Sequence, residues 1–94
     1  MIVRVLGEGQ WEVAEGALPL LNSLDDAVEQ AVAAGDQAQL AAALRELLTE
    51  VRVGGTRVPD EQLLDSDLIL PSADASLDDV RALLSESDEG LIPN

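Results

Sequence analysis

The spacing of apolar residues changes period along the chain. Residues 2–6, Ile-Val-Arg-Val-Leu, are short and rich in β-branched types, which predicts a strand. Gly7-Glu8-Gly9 supplies a turn with two residues free to take positive φ. Gln10-Trp11-Glu12-Val13 then alternates polar and apolar. Together these residues predict a β-hairpin with a three-residue loop. Val3, Val5, Trp11 and Val13 are the expected core side, while Arg4, Gln10 and Glu12 face water or a partner.

From Leu18 to Val53 the period becomes helical. Leu20, Leu24, Ala27, Val28, Ala31 and Val32 fall on one stripe. Two starts are open for this helix: Pro19 at a first helical position, or the capping-box-like Ser23-Leu24-Asp25-Asp26. Gly35 ends the helix, and Asp36 caps a second one at once, with Gln39 three residues on. Leu40, Leu44, Leu47, Leu48 and Val51 form the second stripe, and Gly54-Gly55 stops it. The result is an αα-hairpin with a very tight joint.

Residues 54–76 carry a weaker signal. Val58-Pro59-Asp60 excludes helix before the proline and suits one short turn through Leu64. Asp67-Leu68-Ile69-Leu70-Pro71 reads either as a third strand on the hairpin or as an extended segment against the helices. Ser76-Leu77-Asp78-Asp79 opens a third helix, with Leu77, Val80, Leu83 and Leu84 buried. Gly90 ends that pattern, and the apolar tail Leu91-Ile92-Pro93 either folds back on the core or enters a partner's groove. The fold class is therefore α+β. A β-hairpin, with a possible third short strand at 67–70, packs on a helical hairpin and a C-terminal helix, in a single domain over residues 1–94.

Composition narrows the chemistry. Five arginines stand against 19 Asp and Glu, a net charge of −14, with no Lys, His or Cys. No disulfide, thiol nucleophile, imidazole base or Cys/His metal site is available. Adjacent pairs such as Asp25/Asp26 and Asp78/Asp79 point about 100° apart on a helix, so they suit capping and dipole pairing better than a facing acid–base dyad. Asp65-Ser66-Asp67 offers alternating oxygens, but Leu68-Ile69-Leu70-Pro71 supplies none of the further ligands a calcium loop needs. Gly7-Glu8-Gly9 lacks the rest of a dinucleotide loop, and a chain without lysine has no P-loop lysine. No catalysis, cofactor or metal is expected. Trp11 reads as a core plug.

A charge of −14 repels nucleic acid and anionic lipid, so a basic protein partner is favoured over nucleic acid. No segment approaches the ~20 apolar residues of a membrane span. The start, Met1-Ile2-Val3-Arg4-Val5, has no basic stretch with an apolar run behind it, so a cytoplasmic location is expected.

Four stretches together resemble one family. They are residues 1–11, from Met1 to Trp11; Leu21-Asn22-Ser23-Leu24-Asp25-Asp26; Ser66-Asp67-Leu68-Ile69-Leu70-Pro71 with Ala73-Asp74; and Gly90-Leu91-Ile92-Pro93. In order and spacing they look like PspAA, the PspA-associated protein of actinobacteria and some other prokaryotes. The resemblance implies a cytoplasmic accessory of PspA, an ESCRT-III-like helical-hairpin protein of the phage-shock, membrane-stress response. It implies no catalytic residues and no established contact surface.

Two docking routes follow from the residues. Carboxylate-rich helix faces at Glu29, Glu46 and Glu50 would meet basic patches on a PspA-like helical protein. Alternatively, an unpaired edge of the β-hairpin would accept a partner segment, with Arg4, Glu8 and Glu12 alongside. Two readings of other kinds stand beside these: a self-assembling structural or regulatory homo-oligomer, and an acidic charge-mimic inhibitor of a basic protein. Self-association of chains at −14 should strengthen with salt, whereas docking to a basic partner should fade.

Overall fold

The computed structural model describes residues 1–59, 61–62 and 64–85. It is α+β. Strand β1 (Ile2–Val5) turns into β2 (Gly9–Glu12), and a 3-10 turn (Glu15–Ala17) leads into α1 (Leu18–Ala34). Then come α2 (Gln37–Gly54), β3 (Thr56–Arg57), β4 (Leu68–Leu70) and α3 (Leu77–Ser85).

The hairpin forms with Val3 opposite Trp11 and Arg4 opposite Gln10. Its loop is Leu6–Glu8, one residue earlier than the glycines suggest, closed by the Glu8 N–H on the Val5 carbonyl at 3.0 Å. Gly7 and Gly9 both take positive φ, where a side chain would be strained. The expected third strand is present as β4, and it runs parallel to β1. A further strand, β3, pairs antiparallel with β2, so the sheet order is β3-β2-β1-β4. Two residues of Thr-Arg carry no periodic signal, which is why the sequence hides β3. Both hairpin strands are therefore interior. The hairpin offers no free edge, and the edge-addition route at β1 or β2 is closed by the pairing itself.

Helix α1 starts at Leu18 with Pro19 in its first turn, so the Pro19 start is the one adopted. Its buried stripe is Leu21, Asp25, Val28, Ala31 and Val32. Val28, Ala31 and Val32 are buried as expected, but at the start of the helix Leu21 is buried in place of Leu20, which is 48% exposed. Asp25, read as a cap, is instead in mid-helix and 1% exposed. The reason is visible in the register. Leu20 and Leu21 start two competing stripes, and the true one contains a carboxylate, which sequence rules place outside.

Gly35 closes α1 in the left-handed region at φ 67°. The Asp36 carboxylate then accepts from the Gln39 N–H at 3.0 Å and opens α2. Leu40, Leu44, Leu47, Leu48 and Val51 are fully buried, as their spacing predicts. Gly55 ends α2 where the chain passes very close to its neighbours. A Cβ there would lie 2.6 Å from the Val51 carbonyl oxygen and 3.1 Å from that of Glu12.

The core joins the inner sheet face to both long helices. Val3, Val5, Trp11, Val13 and Leu70 meet Leu21, Val28, Leu40, Leu44, Leu47, Leu48 and Val51, with Val80 of α3 closing one end. Trp11 serves as the expected plug, and the Arg57 guanidinium lies 5.1 Å over its ring. The α3 cap is a reciprocal box. The Asp79 N–H donates to Ser76 Oγ at 3.2 Å, and the Ser76 N–H donates to the Asp79 carboxylate at 3.0 Å. The expected helix end at Gly90 and the tail at 91–93 lie outside the described residues.

Candidate docking surfaces

Leu20, Leu24, Arg45, Glu46, Thr49 and Glu50 line a groove of about 410 Å³ between the start of α1 and the end of α2. The tight Gly35–Asp36 joint makes the helices antiparallel, which brings these two ends together. Its floor is apolar, from Leu20 and Leu24. Its α2 rim carries Glu46 and Glu50 one helical turn apart, about 6 Å along the axis. Like charges at this spacing repel by a few tenths of a kcal/mol in an isolated helix. The rim and the exposed leucine are thus mildly unfavourable features of the free protein.

Of the three acidic helix residues singled out in the sequence, the structure brings together Glu46 and Glu50 only. Glu29 follows Leu20 by nine residues, half a turn around α1, and points away from the groove. Sequence reasoning missed Leu20 as a surface residue because it assigned it to the core stripe; Leu24, assigned there too, is half-buried and packs against the core. The signal available was the Leu20-Leu21 doublet, which allows a stripe to start from either leucine.

Glu8 is occupied. Arg52, in the last turn of α2, donates its Nε to the Glu8 carboxylate at 2.9 Å and its Nη2 to the other oxygen. The Glu8 carbonyl accepts from Arg57 at 3.0 Å. The side-chain hydrogen bond from Arg52 to the Glu8 carboxylate is the main reason the Arg52 pKa is pushed up from its ordinary value. Glu8 thus ties the hairpin loop to α2.

Arg4 and Glu12 are exposed on the sheet face turned away from the helices. Gln10, expected beside them facing water or a partner, is 8% exposed. Its amide donates to the Leu64 carbonyl at 2.7 Å and to Ser66 Oγ at 2.8 Å, so Leu64 and Ser66 lie against the β2 half of this face. Ser66 and Asp67 are both engaged: the Asp67 carboxylate accepts from the Ile2 N–H at 2.8 Å. Among the described residues, no group of three or more Asp or Glu is placed to hold a metal ion. Among the same residues, no helix is long and apolar enough to cross a membrane.

Comparison with known proteins gives one match. The family model of PspAA, PspA-Associated protein, matches residues 1–94. No curated protein and no solved structure matches the chain.

Proposed function

The chain belongs to the PspA-associated protein family, and from that premise we propose that it is a non-catalytic cytoplasmic accessory that docks on a PspA homologue and modulates its membrane-stress response. The observation that carries the docking surface is the groove between α1 and α2, where exposed Leu20 lies under the paired carboxylates Glu46 and Glu50. A partner helix with an apolar ridge covers the leucines. Lys or Arg one turn apart on its flank meet the two carboxylates. Both unfavourable features of the free surface are relieved at once, and electrostatic attraction to a chain of net charge −14 speeds the encounter. Basic residues held this way are no longer available to anionic lipid, which gives the accessory a means of restraining PspA at a membrane surface.

Binding to a PspA homologue from the same genome, followed by calorimetry across a salt series from about 50 to about 500 mM, tests this reading. The expected result is a complex whose affinity falls at least about tenfold across the series. Self-association that strengthens with salt, with no PspA complex, favours the homo-oligomeric reading instead.

A further inference from the structure

The end of the helical hairpin that carries the α1–α2 groove holds a second exposed apolar side chain. Val53, in the last turn of α2, is 77% exposed, the highest value among the large apolar residues of the described chain. It follows Glu46 by seven residues and Thr49 by four. On a helix this places it about 10.5 Å along the axis from Glu46 and only about 20° around it. Glu50 is three residues before it, on the adjoining line. Val53 therefore continues the α2 rim of the groove that Glu46, Thr49 and Glu50 line. Leu20 stands near the start of α1, which the tight joint brings beside the end of α2. Among the described residues, each long helix thus exposes one large apolar side chain, both at the same end of the hairpin.

The backbone holds Val53 outward. Arg52 ties the last turn of α2 to the Glu8 carboxylate, with Nε at 2.9 Å. The Gly55 N–H donates to the Val51 carbonyl at 2.9 Å, and a Cβ on Gly55 would lie 3.1 Å from the Glu12 carbonyl oxygen. Val51 is fully buried in the core, and Val53 lies about 200° further round the same helix. Rolling Val53 inward would break all of these contacts. A β-branched side chain on a fixed backbone has little freedom left to lose when a partner covers it.

We propose that Val53 is a specificity-determining anchor, which takes a large aliphatic or methionine side chain one helical turn beyond the basic pair of the partner helix. The inference rests on the docking groove proposed above and names the partner feature that the groove reads. Glu46 and Glu50 by themselves accept any two cations one turn apart. Val53 adds an apolar side chain at a fixed distance beyond them, as helix-in-groove recognition reads anchors one and two turns apart. Arg45 lines the same groove and opposes a segment that is basic throughout. A second copy of the chain is opposed by the −14 charge on each.

Affinity for the PspA homologue, measured by calorimetry on the full chain, tests the anchor. Val53→Ser should weaken the complex about tenfold, and Val53→Ile should retain it. The position is exposed and the two residues have similar helix propensity, so the fold should be kept. No charge changes, so the loss should be the same at about 50 and about 300 mM salt, whereas the loss from Glu46→Arg with Glu50→Arg should shrink. A complex weakened by that double reversal but indifferent to Val53→Ser would overturn this inference and leave the groove standing. A complex indifferent to the double reversal, or no complex, would remove the groove and this inference with it. The chain has no cysteine, so Val53→Cys gives a single site for an environment-sensitive fluorophore. Its emission should shift to the blue when the complex forms. Unshifted emission in a formed complex would overturn the proposal. A shift on concentrating the chain alone would assign the face to a second copy and overturn it as well.

Discussion

In α1 and α2 the spacing that forms the helices also buries them. Leu40, Leu44, Leu47, Leu48 and Val51 each sit at 0% exposure in one continuous core with the inner sheet face. Between Gly55 and Ser76 the described residues are held differently: Val58, Leu70 and Ala75 are buried, and single polar contacts across the chain fix the rest. Val58 donates its N–H to the Gln10 carbonyl at 2.9 Å, and Gln10 reaches back to Leu64 and Ser66. Asp67 exchanges hydrogen bonds with Ile2. Gln37, in the first turn of α2, donates to the Ala75 carbonyl at 3.2 Å and accepts from the Leu77 N–H at 3.0 Å. The hairpin distributes its stability over many apolar contacts, whereas the segment buries Val58, Leu70 and Ala75 and depends more on a few polar side chains. A leucine lost from the first should therefore be felt everywhere, and a glutamine lost at the second only locally.

The largest expected effect breaks the hairpin. Leu47→Ala leaves a cavity under the sheet and should cost about 2–5 kcal/mol, a large part of the roughly 5–15 kcal/mol that holds a domain of this kind. Urea unfolding should show a single transition at lower denaturant, with helix and sheet signals lost together. Separate transitions would mean that the hairpin does not share the core described above.

Gln10→Ala acts on the other region. It removes two hydrogen bonds and leaves the Leu64 carbonyl without that donor, for about 1–3 kcal/mol. Hydrogen exchange should rise over residues 58–66 while the amides of α1 and α2 keep their protection. Equal loss in both would erase the contrast. A smaller effect sharpens the joint between the helices: Asp36→Ala should cost about 1 kcal/mol and Asp36→Asn much less, since the amide oxygen still caps the Gln39 N–H.

The same contrast decides what the sequence could reveal. Stripes of leucine state a helix and its buried face together, so α2, the Gly35–Asp36 joint and the β1–β2 pairing were legible. Strand β3 and the burial of Gln10 were not, because each depends on a partner more than 40 residues away and on no repeating pattern. The tetrapeptide Ser-Leu-Asp-Asp makes the point within one chain. At 76–79 it is a capping box. At 23–26 the helix has already begun at Leu18, so Ser23 bonds back to the Pro19 carbonyl and Asp25 is carried into the core. Cap chemistry is local, but which residues reach the cap position is set by the packing upstream. For the candidate site, Glu46 and Glu50 were readable as an acidic face. The exposed part of their apolar floor was hidden because Leu21, and not Leu20, is buried at the start of α1.

The smallest effect on stability is expected at exposed Glu46 and half-buried Glu50, where charge reversal should move unfolding by no more than about 0.5 kcal/mol. That makes the pair the direct test of the account. Affinity for the PspA homologue should be measured by calorimetry for the unaltered chain and for the Glu46→Arg, Glu50→Arg variant, at low salt. The account predicts a loss of at least about a hundredfold, with Leu20→Ser adding to it and Glu29→Arg having little effect. Affinity unchanged by the double reversal, in a protein that remains folded, would show that the groove between α1 and α2 is not the surface that meets PspA.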